Sequence, residues 1–181
     1  MRRSGTIALA LVCGVLLIGG APDQRAAEME AVSSGARASA FGEDQVVEQL
    51  RLVNPALTER QLRRIAAAVI KYSAKYRLAP DLVTAVMRVE STARPWARSP
   101  KGALGLMQVM PHMAEPADFA GNLTTVESNV EAGCMILSDN IRRLGEDDGV
   151  LAYFWGSEIR GGSYLQRVRA ARAAMQGSTE S

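Results

Sequence analysis

Over residues 43–175 the apolar side chains recur at helical spacing, and no stretch alternates apolar with polar as a half-buried strand would. That pattern restricts the chain to an all-α domain. Residues 43–53 form a short helical pattern stopped by Asn54-Pro55. Thr58 is placed as the N-cap of a longer helix reaching about Arg77, with Leu62, Ile65, Ala66, Val69, Ile70 and Tyr76 on its apolar stripe. Pro80 suits the first turn of the next helix. Leu82, Val83, Ala85, Val86 and Val89 make that helix apolar on more than one side, so it belongs at the centre of the core. Glu90 falls at its end. Residues 92–104 are a loop punctuated by Pro95, Pro100 and Gly102. A short helical segment is expected over 104–109, stopped by Pro111. Ser128 with Glu131, and Ser163 with Gln166, have capping-box spacing and predict helices opening there. Asp148 is placed as the cap of a segment over 150–155.

The flanks differ in composition from the domain. Arg2 and Arg3 precede an uncharged, mostly apolar run over 6–20, and Gly19, Gly20 and Ala21 are small enough for a cleavage region. This order predicts an export signal over 1–21 and a protein of the periplasm or cell envelope. The run is shorter than the ~20 residues of a membrane span; an uncleaved anchor is the alternative. Residues 22–42, rich in Ala, Ser and Gly, are expected to be a flexible linker. The domain then occupies 43–175, and 176–181 are a frayed tail.

Charge and cysteine content exclude several function classes. The formal charge of +2 equals the contribution of Arg2 and Arg3, because no acidic residue lies before position 21. Without that excess there is no basic footprint, so no nucleic-acid partner is expected. Export removes Cys13 and leaves Cys134, which cannot form an internal disulfide. It lies in an apolar helix pattern and is expected to be a buried small hydrophobe. One Cys and the lone His112 do not make a usual zinc site, so neither metal nor cofactor is expected.

The chemistry-bearing residues cluster around Glu90. A carboxylate at a helix C-terminus meets the unfavourable end of the dipole. Burial beside Val86 and Val89 adds to this, and both effects raise a carboxyl pKa. A raised pKa suits a general acid. Ser91 carries a hydroxyl for the carboxyl, for a sugar substituent or for nearby backbone. Gln108 supplies donors and an acceptor that suit amide and hydroxyl groups of an amino sugar. Met107 can form an apolar wall or pack in the core. Gly102 and Gly105 permit tight turns and close ligand approach. Tyr153 is placed either on the Glu90 carboxyl, on a substrate oxygen, or in the core.

Three elements carry a resemblance: Glu90-Ser91, then Ser99-Pro100-Lys101-Gly102-Ala103, then Gly105-Leu106-Met107-Gln108. Their order and spacing are similar to the catalytic domain of the soluble lytic transglycosylases. Asn129-Val130-Glu131-Ala132-Gly133 looks like that family's later helix start. Ala152-Tyr153 followed by Gly156 looks like its Tyr-bearing motif, and Tyr164 matches a further position. The resemblance covers roughly 62–170. The chain departs where the family usually has an aromatic at Ala93, and Tyr-Asn-Ala-Gly in place of Tyr153-Phe154-Trp155-Gly156.

The resemblance implies a lysozyme-like (goose-type) helical fold with a catalytic cleft. It implies a peptidoglycan lytic transglycosylase in which Glu90 is the catalytic residue, with Ser91, Gly105, Met107, Gln108 and Tyr153 around the substrate. Glu90 would protonate the β-1,4 bond between N-acetylmuramic acid and N-acetylglucosamine, then deprotonate the 6-hydroxyl that closes onto C1. Glycoside hydrolysis usually employs two carboxylates. After Glu90 the nearest are Glu115, Asp118, Glu127 and Glu131, of which Glu131 is placed as a cap. The implied partner is the glycan strand, bound by a monomer. Two other readings are a muramidase that uses water in the same cleft, and a glycan-binding scaffold with little catalysis at a secretion or conjugation apparatus.

Overall fold

The computed structural model describes residues 41–114 and 121–177. The expected export signal, the linker up to residue 40, Glu115, Asp118 and the last four residues lie outside the described residues.

Among the described residues seven helices follow in chain order: α1 Glu43–Val53, α2 Glu59–Tyr76, α3 Pro80–Ser91, α4 Pro111–Ala114, α5 Val126–Leu144, α6 Glu146–Trp155 and α7 Ser163–Gly177. The all-α expectation holds. Helix α3 is packed by α1, α2 and α7, and all seven residues from Asp81 to Met87 are buried. A helix apolar on more than one side leaves little for solvent, here chiefly Arg88, so the others wrap it. Helix α5 packs on α2 and turns back through Gly145 onto α6. At that crossing a Cβ on Gly149 would lie 2.6 Å from the Ile141 backbone, so only glycine lets the two helices approach.

Helix ends follow their caps. Thr58 opens α2 as expected: its hydroxyl accepts from Gln61 N at 3.4 Å, and the Gln61 side chain returns to Thr58 N at 2.9 Å. Helix α5 opens earlier than the Ser128–Glu131 spacing predicts. Thr125 is its N-cap, accepting from Ser128 N at 3.4 Å, and Glu131 instead pairs with Lys75 at 2.5 Å. Helix α6 likewise starts at Glu146 rather than after Asp148, with Glu146, Asp147 and Asp148 all in the first turn. Three carboxylates there favour helical amides at the positive dipole end.

The segment 104–109 is not helical. Leu104 and Val109 exchange two backbone hydrogen bonds at 3.0 Å, and Leu104 also bridges to Arg98. Gly105 (φ 71°) and Gln108 (φ 48°) adopt left-handed backbone, which an α-helix cannot contain. A folded-back loop results, and it presses against the end of α3.

Helix α7 is fastened to the start of α3 by Arg172. Its guanidinium donates to Asp81 at 2.7 and 3.2 Å, and to Glu146 at 2.9 Å. The Asp81 side chain is 11% exposed. Arg172→Ala is expected to cost about 2–3 kcal/mol in urea unfolding, because it strands a mostly buried carboxylate.

Candidate active site

Glu90 projects from the last turn of α3 into a cleft of about 920 Å³. One wall is the loop through Ser99, Gln108 and Met113; the other runs from Tyr153 to Arg160, with Ile136 of α5 between them. The carboxyl is half-buried, and its Oε1 accepts from the Tyr164 hydroxyl at 2.5 Å. Burial holds the Glu90 carboxyl above the ordinary Glu range, while the Tyr164 hydrogen bond and the nearby Arg167 charge pull the other way. Burial and the Glu90 charge together push the Tyr164 phenol up, so it remains a donor. This arrangement raises the proton affinity of a carboxyl that lines the cleft.

Tyr153 lines the cleft, but its hydroxyl donates to the Met107 carbonyl at 2.7 Å and not to Glu90. The cause is the loop: the Met107 carbonyl lies in a buried turn outside any helix and needs a donor. The phenol on the carboxyl comes from Tyr164, in the first turn of α7. The sequence marks Tyr164 as a motif match, yet nothing in local spacing reports a contact between residues 74 positions apart.

Of the other sequence-named residues, Gln108 also lines the cleft. Its amide NH2 donates to Gly105 O at 2.9 Å and Ala97 O at 3.2 Å. Ser91, Gly105 and Met107 lie buried behind the wall. The Ser91 hydroxyl donates to Leu106 O at 2.7 Å, stitching the end of α3 to the loop rather than meeting the carboxyl. Met107 packs against Gly133 of α5. Asn129, to which sequence reasoning gave no role, braces the whole loop. Its Oδ1 accepts from Met107 N at 2.8 Å, and its Nδ2 donates to Leu104 O at 2.8 Å and Leu123 O at 3.0 Å.

A second carboxylate lines the cleft, Glu158. It is exposed and paired with Arg160 at 2.6 Å. Glu127 lies outside the cleft lining, in a bidentate pair with Arg64 at 2.7 Å. Cys134 is fully buried and its thiol is raised by that burial, which leaves it chemically inert.

Residues 67–169, more than half of the chain, match the family described as the transglycosylase SLT domain. The chain belongs to the transglycosylase SLT domain family. Enzymes of this family are lytic transglycosylases acting on peptidoglycan. The SLT match spans Glu90, Gln108, Asn129, Tyr153, Tyr164 and Arg167. Similar proteins include the transglycosylase of Enterobacteria phage PRD1, 37% identical over 86 residues, which are 47% of this chain and 32% of the phage protein. The membrane-bound lytic murein transglycosylase C of Yersinia pestis is 32% identical over 90 residues, 44% of this chain and 25% of that protein. The chain therefore spans about a third or less of the curated relatives it matches. A structure of an inactive mutant of lytic transglycosylase Slt from Pseudomonas aeruginosa superposes with a TM-score of 0.46 at 22% identity, covering 61% of this chain and 22% of that one. Among the described residues no helix is long and apolar enough to cross a membrane.

Proposed function

We propose that this chain is a peptidoglycan lytic transglycosylase, with residues 43–175 as its catalytic unit and Glu90 as both acid and base. The observation that carries this reading is the Glu90 environment: a half-buried carboxyl with a phenol donor, opening into a cleft large enough for a glycan. Glu90 donates its proton to the glycosidic oxygen as the bond to the muramic C1 breaks. The leaving N-acetylglucosamine departs with a neutral hydroxyl, and C1 becomes cationic. The Glu90 carboxylate then takes the proton of the 6-hydroxyl on the same muramic ring, and O6 bonds to C1. The product is a 1,6-anhydro end, and no water is consumed. Ring closure within one sugar has a high effective molarity, so no second carboxylate is required. Gln108 Oε1 accepts from a substrate amide or hydroxyl. Ser91, Gly105, Met107 and Tyr153 act by holding the loop that presents Gln108. The polymer lies outside the cytoplasmic membrane, which agrees with export directed by 1–21.

Incubation with purified sacculi followed by mass spectrometry tests this. Anhydro-ended muropeptides are expected; products heavier by one water identify a muramidase and overturn the lyase assignment.

Tyr164→Phe tests the acid's environment. The phenol donates to, and so favours, the ionised carboxylate; its loss raises the Glu90 pKa further. The high-pH limb of the kcat/KM profile is expected to move upward. A limb that stays in place or moves down removes Tyr164 from the site. Arg167→Gln moves it in the same direction by less, because Arg167 is exposed to solvent and acts only through its charge.

A further inference from the structure

We propose that Phe154 and Trp155 form a sugar-stacking subsite, against which one pyranose ring of the glycan strand lies next to Glu90. Phe154 is 46% exposed, an unusual position for a large apolar ring inside a cleft wall. It is nevertheless held firmly. Its ring stacks on Tyr164 with centroids 4.7 Å apart and planes 15° from parallel. Trp155 and Phe154 are T-shaped to one another, with centroids 4.9 Å apart and planes at 83°. The Arg167 guanidinium lies 5.9 Å from the Phe154 centroid and 5.6 Å from that of Tyr164. The indole is anchored in turn by Nε1, which donates to Gly161 O at 3.3 Å.

The occupant follows from chemistry and from place. A pyranose presents C–H groups on its faces and hydroxyls at its edge. A rigid aromatic surface rimmed by polar groups matches that distribution. Here the rim is Gln108, Ser157, Glu158 and Arg160. The surface is continuous with the acid, since the ring beneath Phe154 is Tyr164, whose hydroxyl rests on Glu90. A sugar stacked on Phe154 is therefore one ring thickness from the group that orients the carboxyl.

This subsite rests on the glycan-cleaving reading of the cleft, and the test separates the two. Glu90→Gln protein is titrated calorimetrically with a peptide-free tetrasaccharide of alternating N-acetylglucosamine and N-acetylmuramic acid. Phe154→Leu and Trp155→Leu, made in that background, are each expected to weaken binding about tenfold, while Phe154→Tyr keeps it. Leucine fills the space without offering a ring face, so a packing role predicts no loss. Unchanged affinity in both leucine variants overturns the subsite. An independent readout leaves the rings untouched: the chain has two tryptophans, and Trp96→Phe leaves Trp155 as the reporter. Saturating tetrasaccharide is expected to change its emission, and an unchanged spectrum overturns the proposal. Muropeptide release by the wild type is read alongside. Release without ring-dependent binding rejects the subsite alone; ring-dependent binding without release rejects catalysis and keeps the subsite.

Discussion

Glu90→Gln is expected to lower muropeptide release from sacculi by roughly 10³–10⁴-fold, at the upper end of what a general acid contributes. The same carboxyl is asked to give a proton in the first half of the reaction and take one in the second, so its loss removes both steps. The amide is isosteric and can still accept from the Tyr164 hydroxyl, so the cleft keeps its shape. The variant is also expected to be more stable than the wild type at neutral pH. Burial raises the folded-state pKa of Glu90 above its ordinary value of 4.5. The stability associated with the protonated form is then complete below pH 4.5 and is lost as pH rises through the folded value. Above that value the wild type carries the full cost of a desolvated charge, which glutamine does not. The gap in urea midpoint between variant and wild type should therefore widen from acid to neutral pH and close below about pH 4. A constant gap, or one of opposite sign, means the carboxyl is not desolvated. An activity loss below tenfold means it is not the acid.

The raised pKa of Glu90 is legible in the sequence because its causes are local. Glu90 follows Val86 and Val89 on a helix that is apolar on more than one side, and a single helical period suggests its partial burial. The same applies to the placement of α3 at the core, to the Thr58 cap and to the stop at Asn54-Pro55. What could not be read depends on contacts without periodicity. The 104–109 segment looked helical from its apolar content. Its backbone is decided by positive φ at Gly105 and Gln108, and by Asn129 twenty-two positions beyond Met107. The sequence offers Tyr153 for the Glu90 carboxyl, a substrate oxygen or the core, and marks Tyr164 only as a motif match. The fold brings Tyr164 to the carboxyl by packing α7 on α3, and gives Tyr153 to an orphan carbonyl. The opening of α5 lies at Thr125 rather than Ser128; both are competent caps, and residue spacing alone does not choose between them.

Asn129→Ala is expected to destabilise the domain by about 3–5 kcal/mol, a large share of the 5–15 kcal/mol typical of a folded domain. One buried amide satisfies three backbone groups, Met107 N–H and the Leu104 and Leu123 carbonyls, none of which has a helical partner. Alanine leaves Met107 N–H and the Leu123 carbonyl desolvated and unpaired, and leaves the Leu104 carbonyl with Val109 N–H alone. Asn129→Asp is expected to be at least as harmful. The acceptor for Met107 survives, but two donations become oxygen-to-oxygen contacts at about 3 Å. Gly105 is coupled to the same amide. A Cβ there would lie 2.4 Å from Asn129 Nδ2, and the backbone is already at φ 71°. Gly105→Ala alone therefore meets both a collision and a left-handed backbone. With Asn129→Ala present the collision disappears, and only the backbone cost of about 1–2 kcal/mol should remain. The double variant is thus expected to be less destabilised than the sum of the two singles, a coupling that urea unfolding of all four proteins measures directly. Additive costs would mean that the two residues do not meet. The loop that carries Gln108 would then owe its shape to something other than this amide.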